Sequence, residues 1–202
     1  MNHKDLSLER IIFFSDAVFA IAITILALEI RLPENISDPV RMAQEIAPAL
    51  LSYVFGFAQI AIYWIAHHAL FDKLRRYDAT LIGLNFVFLL FIAFLPVPVS
   101  ILIKSGLHLG PLAFMYGCLA LLGGVEWLLW QYLTDPARAL LDDSLTVCER
   151  HIMKRKIEAL VMLFLVGIVM AYLHPFLAVL VSAGVPFIHR RIEQKTKQTF
   201  LD

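Results

Sequence analysis

The chain has 202 residues, of which 60% are hydrophobic and only 17% are charged, and this balance excludes an ordinary soluble globular domain. The lipid bilayer is therefore its expected environment. The formal net charge is zero, so the overall charge gives no reason to expect an acidic partner or a nucleic acid. The positions of the charged residues are informative instead, because they cluster between apolar runs.

The apolar runs predict an all-α polytopic membrane protein with a single domain over residues 1–202. A hydrocarbon core about 30 Å thick needs roughly 20 apolar residues of helix at 1.5 Å per residue. Four runs are near that length, at residues 11–30, 46–67, 79–103 and 111–132. Each predicts one transmembrane helix.

The last apolar stretch, residues 157–188, is too long for one span. His174 and Pro175 interrupt it, and proline removes a backbone donor and disfavours helix in the residue before it. We therefore expect two spans here, at 157–173 and 176–188, and six in the whole chain. The sixth would reach only about 20 Å as a straight helix.

Lysine and arginine are concentrated on one side of the expected spans. They precede the first span, separate the second from the third and the fourth from the fifth, and follow the sixth: Lys4, Arg10, Lys73, Arg75, Arg76, Arg138, Arg150, Lys154, Arg155, Lys156, Arg190, Arg191, Lys195 and Lys197. The opposite connectors hold only Arg31, Arg41 and Lys104. The positive-inside rule therefore predicts a cell-membrane protein with both termini in the cytoplasm.

Two connectors have the pattern of a helix start with proline in the first turn. One is Ser37-Asp38-Pro39, before the second span, and the other is Thr134-Asp135-Pro136, before a charged amphipathic segment. Pro96 and Pro98 predict a kink in the third span. The charged residues after the sixth span are expected to form a solvated helix end or a disordered tail.

The most costly polar group of the first span is the carboxylate of Asp16, for which Arg10 or a donor from another span is the expected partner. An interfacial charge pair at the helix end is an equal alternative. At 100° per residue, one stripe of this helix carries Ile21, Ile25 and Leu28, together with the hydroxyl of Thr24. Ordinary helix packing is the default interpretation of this stripe, and a pore lining is the alternative.

Polar residues in the other spans favour structural roles. Glu126 lies beside two tryptophans, which indicates an interfacial position satisfied by snorkelling. Asn85, Gln59 and Ser52 are expected to form hydrogen bonds between helices.

Neither a metal site nor an enzyme is expected. Cys118 and Cys148 lie in different environments and are expected to be unpaired thiols, and the histidines lack the spacing of a metal site. The chain has no nucleophile elbow, no metalloprotease motif, and no phosphate or dinucleotide fingerprint. We therefore expect no catalytic residues and no cofactor.

The string Arg10-x-x-x-Phe14-Ser15-Asp16 and the apolar run that follows it resemble the first span of bacterial homologues of the lysosomal potassium channel, the transmembrane protein 175 family. The motif match is complete. It also lies at the right place in a six-span chain with both ends inside.

The resemblance implies a homotetramer of six-span subunits in which the first helix of each subunit lines a central pore. It implies a constriction formed by Ile21, Ile25 and Leu28, and it assigns Thr24 to potassium selectivity. It further implies that Arg10, Phe14, Ser15 and Asp16 form a structural clasp that holds the first span against its neighbours and does not touch the ion.

Together, the pattern and the resemblance predict a potassium-permeable cation channel with a hydrophobic constriction. Its expected partners are potassium ions, the lipid bilayer and three further copies of the chain. A proton-coupled secondary transporter is the alternative, because the carboxylates of Asp16 and Glu126 could form a relay. A purely structural membrane subunit is the third possibility.

Overall fold

The computed structural model describes residues 3–31 and 38–200, and in this part of the chain it has eight α-helices. They are α1 (His3–Leu28), α2 (Pro39–Phe71), α3 (Ala79–Phe94), α4 (Pro96–Ser105), α5 (Leu109–Leu133), α6 (Val147–Leu173), α7 (Pro175–Ala183) and α8 (Val185–Thr199). The prediction of an all-α fold is confirmed for the described residues.

Five helical segments are long and apolar enough to cross a bilayer: Leu8–Leu28, Pro39–Phe71, Ala79–Ser105, Leu109–Leu133 and Val147–Leu173. The pair formed by α7 and α8 passes the same test together, but it is bent by 41° at Gly184. The described chain therefore has five straight or kinked candidate spans, and a sixth if the bent pair crosses as one.

The start of α2 follows the predicted signal. The Asp38 carboxylate accepts hydrogen bonds from the backbone N–H groups of Val40 and Arg41, at 3.0 and 3.3 Å, and Pro39 is the first helical residue. Ser37, the remaining residue of the predicted signal, lies outside the described residues. The helix then continues through Pro48 to Phe71, so the second span is longer than predicted.

The helix start predicted at Thr134-Asp135-Pro136 is wrong. Residues 134–146 form turns, and α6 begins at Val147 behind a capping box in which Thr146 and Glu149 satisfy each other's backbone N–H groups. The turns are held instead by backbone hydrogen bonds to the α2–α3 connector. The N–H groups of Arg75 and Arg76 both donate to the carbonyl of Leu140, at 2.9 and 3.2 Å.

The helix breaks lie where proline was expected to place them. Leu95 separates α3 from α4, which confirms the kink, and Pro96 is the first residue of α4. His174 is extended and separates α6 from α7, where its ring accepts the N–H of Phe176. Beyond Gly184 the chain remains helical to Thr199. Of the two alternatives expected for the charged end, the helical one is therefore confirmed.

Large aromatic side chains from several helices form the core. Tyr63 of α2, Phe88 of α3, Tyr116 of α5 and Phe164 of α6 are fully buried and contact one another edge to face or at a tilt. The absence of a side chain at Gly167 lets α6 approach the Tyr116 ring, because an added Cβ would lie 2.7 Å from it. Helix α1 packs on the outside of this core, against α2, α3 and α4.

Candidate functional site

Helix α1 has two distinct faces in the span. One face carries Ser15, Phe19, Ala22 and Leu26, all of which are at most 2% exposed because they pack against the subunit's own helices. The opposite face carries the predicted stripe. Ile21 is 58%, Ile25 41% and Leu28 83% exposed in the single chain, and Thr24 is also exposed. The stripe is therefore not used for packing within the subunit.

The hydroxyl of Thr24 is turned back to its own helix. It donates to the carbonyl of Ala20 at 2.9 Å or to that of Ile21 at 3.0 Å. This leaves the oxygen lone pairs available on the exposed face, where they can accept a hydrogen bond from water or face a cation.

A buried chain of hydrogen bonds joins the other face of α1 to α3 and α2. Ser15 donates to the carbonyl of Ile11 at 2.9 Å and accepts a hydrogen bond from the Asn85 amide at 3.0 Å. The Asn85 oxygen lies 2.9 Å from Nε2 of His67, so the imidazole must donate there because the amide oxygen can only accept. All three side chains are at most 2% exposed.

Aromatic rings hold the His67 imidazole in this orientation. It stacks between Phe71, at a centroid distance of 4.0 Å, and Phe88, at 5.1 Å, and Phe19 of α1 contacts it at 5.6 Å. The ring cannot turn away from Asn85 without disturbing these stacks. The network is therefore both directional and rigid.

Asp16 finds its partner on another span. Nε1 of Trp64, on α2, donates to the Asp16 carboxylate at 2.9 Å. Of the two partners expected from the sequence, the interhelical donor is the one observed rather than Arg10. Arg10 and Phe14 lie on the exposed side of α1, and the Phe14 ring meets Phe86 of α3 edge to face at 5.7 Å.

The other end of α1 has a second polar anchor that sequence reasoning did not identify. Glu29, directly after Leu28, accepts a hydrogen bond from Ser100 of α4 at 2.6 Å and lies 3.3 Å from the ammonium of Lys104. These two contacts, first the hydroxyl and then the ammonium, lower the pKa of the Glu29 carboxyl from its ordinary value. The exposed stripe of α1 is thus fixed to the subunit at both of its ends.

Sequence reasoning missed the roles of Trp64 and His67. It did not consider Trp64, and it considered His67 only among the histidines that lack the spacing of a metal site. Asn85 was expected to form an interhelical hydrogen bond, and this is confirmed. Ser52 was expected to do the same, but its hydroxyl bonds to the carbonyl of Pro48 in its own helix. The carbonyl oxygen of the buried Gln59 side chain has no hydrogen-bond partner among the described residues.

The interfacial interpretation of Glu126 is wrong. Its side chain is 1% exposed, and neither carboxylate oxygen has a hydrogen-bond partner among the described residues. It lines a cavity of about 150 Å³ between α2, α5, α6 and α8, beside Lys156 and His189. The signal taken from the tryptophans was misleading because Trp127 is partly exposed whereas Trp130 is buried on the inner side of α5.

Within the described residues, no group of three or more histidine, cysteine, aspartate or glutamate side chains is placed to hold a metal ion. Cys118 and Cys148 are both free, as expected.

The chain resembles known proteins over most of its length. Residues 10–96 match the model of the family described as endosomal/lysosomal potassium channel TMEM175. A Chryseobacterium protein named as a potassium channel is 27% identical over 94% of this chain and 97% of its own length. One from Chamaesiphon minutus, also named as a potassium channel, is 29% identical over 89% of both chains. The mouse protein named endosomal/lysosomal proton channel TMEM175 is 35% identical over 46% of this chain and 21% of its own length.

The fold has solved counterparts. The crystal structure of a lysosomal potassium-selective channel TMEM175 homologue from Chamaesiphon minutus superposes with a TM-score of 0.76 at 24% identity, covering 94% of this chain and 98% of that one. The protein is therefore a polytopic helical membrane protein with the fold of these channels. In sequence, the chain is similar to the TMEM175 family over residues 10–96 and to bacterial proteins named as potassium channels over most of its length.

Proposed function

We propose that the chain is a subunit of a potassium-permeable cation channel of the cell membrane. Four copies surround a central axis, the exposed stripe of α1 faces that axis, and both termini lie in the cytoplasm. The observation that carries the proposal is the two-faced first helix, whose inner face is fully packed while Ile21, Ile25 and Leu28 remain exposed in the single chain. The name of potassium channel given to the two full-length bacterial relatives supports it.

The chemistry of the stripe suits a hydrophobic constriction. Rings of Ile21, Ile25 and Leu28 around an axis offer no polar group that could replace the hydration shell of an ion, so they oppose conduction by dewetting and desolvation. A ring of Thr24 hydroxyl oxygens among them supplies acceptors and is the layer that we assign to potassium preference. The stripe would therefore act as both barrier and filter.

The motif residues have a structural part in this proposal. Ser15 and Asp16 hold α1 through Asn85 and Trp64, and Phe14 packs on α3. They set the position and rotation of α1 and do not touch the ion. A constriction made by side chains on one helix needs such anchoring, because a small rotation would turn the stripe away from the axis.

Oligomeric state and flux test the proposal together. The purified protein should be a four-fold symmetric tetramer with α1 on its axis, and in proteoliposomes a potassium gradient should drive the membrane potential to the Nernst value. A proton-coupled transporter is the second candidate, favoured by the unpartnered carboxylate of Glu126. Such a transporter would use the downhill flow of protons to move another ion against its own gradient. If the tetramer supports neither process, the remaining interpretation is a purely structural membrane subunit.

The pore assignment has its own test in a pair of substitutions on α1. Ile21→Asn places amide groups of similar volume on the exposed stripe and should raise potassium flux, while discrimination against sodium holds or falls. Ile23 lies on roughly the opposite side of the helix and packs against the core, so Ile23→Asn should change flux far less in any protein that still assembles. Equal effects at both positions, or no effect of Ile21→Asn in a tetramer, would contradict the assignment.

A further inference from the structure

A basic cleft lies between the first turns of α6 and the last turns of α8. It has a volume of about 520 Å³, and its polar lining consists of His151, Arg155, Lys195, Thr196 and Thr199. The α6 residues are one helical turn apart, and the α8 residues share one face at spacings of three and four. Phe200 closes one end, with its ring 5.7 Å from that of His151. No carboxylate lines the described part of this cleft.

Arg155 and Lys195 of the cleft differ from three nearby lysines, each of which pairs with a carboxylate. Lys154 pairs with Glu158 at 3.8 Å, and Lys156 and Lys197 both pair with Glu193, at 3.1 and 2.8 Å. Among the described residues, no such ion pair includes Arg155 or Lys195. The cleft thus brings two cations without a carboxylate partner together around one space.

The depth of the cleft matches the polar layer of a membrane. Arg155 precedes Ile157, where the apolar part of α6 begins, by two residues, or about 3 Å along the helix. The ion pair between Lys156 and Glu193 fixes α8 against α6 at the same level. In the orientation proposed above, this level places the guanidinium just outside the hydrocarbon, in the interfacial region that contains lipid phosphates.

We propose that this cleft binds the headgroup of an anionic phospholipid of the cytoplasmic leaflet, with the phosphodiester between Arg155 and Lys195. A guanidinium binds phosphate oxygens through two parallel hydrogen bonds, and lysine adds a point charge from the opposite wall. The Thr196 hydroxyl supplies a further donor. Basic pockets between helices on the cytoplasmic side suit such headgroups. The inference rests on the proposed orientation in the membrane and not on the pore.

The test is lipid retention by the purified protein, measured by native mass spectrometry in micelles that contain equal amounts of phosphatidylglycerol and phosphatidylcholine. The unmodified protein should retain phosphatidylglycerol preferentially. Arg155→Gln and Lys195→Gln should each weaken that retention at least severalfold, and the double variant about tenfold or more. Retention without preference for phosphatidylglycerol would overturn the proposal.

Matched controls come from the paired cations on the same helices. Lys154→Gln and Lys197→Gln remove the same charge outside the cleft, and both should keep the preference for phosphatidylglycerol. An equal loss in these variants would show general attraction to a basic surface and would overturn the site. Glycerol 3-phosphate carries a similar phosphate ester in soluble form and serves as a competitor. If it displaces the bound lipid at equal concentration, the assignment of the cleft to a lipid headgroup is overturned. Size-exclusion chromatography confirms that each variant is folded, and Arg155→Lys, which keeps the charge, should retain part of the preference.

Discussion

Substitution of Asn85 by leucine tests whether the buried network holds α1 in place. Leucine has nearly the same shape as asparagine but removes the hydrogen bond to Ser15 and the one from His67. The serine hydroxyl keeps its bond to the carbonyl of Ile11, so it is not stranded as a donor. The His67 N–H, by contrast, is left among aromatic rings without an acceptor.

The expected loss of stability follows from the hydrogen bonds that the substitution removes. Interhelical hydrogen bonds in membrane proteins contribute about 0.6 kcal/mol each, and two are lost. A buried donor left without a partner costs a further 1–3 kcal/mol. We therefore expect Asn85→Leu to lower the free energy of unfolding by roughly 2–4 kcal/mol, measured as a loss of thermal stability in detergent. Ser52→Ala is the control, because that buried hydroxyl bonds only within its own helix, and it should cost far less.

A double variant gives the result that would refute this reasoning. Replacing His67 by phenylalanine in the Asn85→Leu background removes the stranded donor and keeps an aromatic ring between Phe71 and Phe88. Removing both partners of a buried hydrogen bond is nearly neutral, so the double variant should be more stable than Asn85→Leu alone. If it is less stable, the network does not determine the cost, and the aromatic stacking of the imidazole is the dominant interaction.

Three further predictions concern carboxylates. Asp16→Ala removes the acceptor for Trp64 and should impair tetramer assembly, judged by native size, more than the selectivity of any channels that form, because a hydrogen bond to a charged group contributes about 1.5–3 kcal/mol. Glu126→Met should raise thermal stability because it removes two unpartnered buried oxygens at similar length, and a lower stability would mean that the carboxylate has a bound partner in its cavity. Hydrogen bonds from Lys197 and Lys156 lower the pKa of Glu193 from 4.5 to about 2, so the link between α6 and α8 is fully present above pH 4.5 and is lost as the pH falls toward 2. Hydrogen exchange of the α8 amides should show this loss, and Glu193→Gln should abolish the pH dependence.

The spans were predictable because the bilayer imposes a length that the sequence records directly. Runs of about 20 apolar residues located the first five spans approximately, and Pro96 and Pro175 marked two of the helix breaks. The break at Gly184, inside the predicted sixth span, was not predicted. The prediction of a helix start at Thr134 was wrong because the local pattern competes with a nonlocal interaction. The carbonyl of Leu140 accepts two backbone hydrogen bonds from the α2–α3 connector, and no pattern near Thr134 reveals them.

The sequence predicted which residues of α1 share a face, but it did not predict which residues of other helices they contact. Periodicity placed Ile21, Thr24, Ile25 and Leu28 on one stripe, but it did not determine whether that stripe or the opposite face packs within the subunit. The partners of Ser15 and Asp16 are 70 and 48 residues away in the sequence. Contacts at that separation arise from the packing of three helices, and a single sequence contains no pairing signal for them.

The turn between α5 and α6 has a mechanical consequence. Its Leu141 pairs with Leu74 in an antiparallel bridge, and the Asp142 N–H donates to the carbonyl of Lys73 at 2.9 Å, so the α5–α6 turn and the α2–α3 connector are joined as a single brace. The four helices that enter this brace are coupled in any tilt or rotation at this end. Among the described residues, none of α1 takes part in this brace, and the hydrogen bonds of α1 to Trp64 and Asn85 are made by side chains. In the channel that we propose, a motion that widens or narrows the pore would require α1 to shift relative to these four coupled helices. Such a shift would strain the hydrogen bonds to Trp64 and Asn85 and disturb the packed inner face of α1.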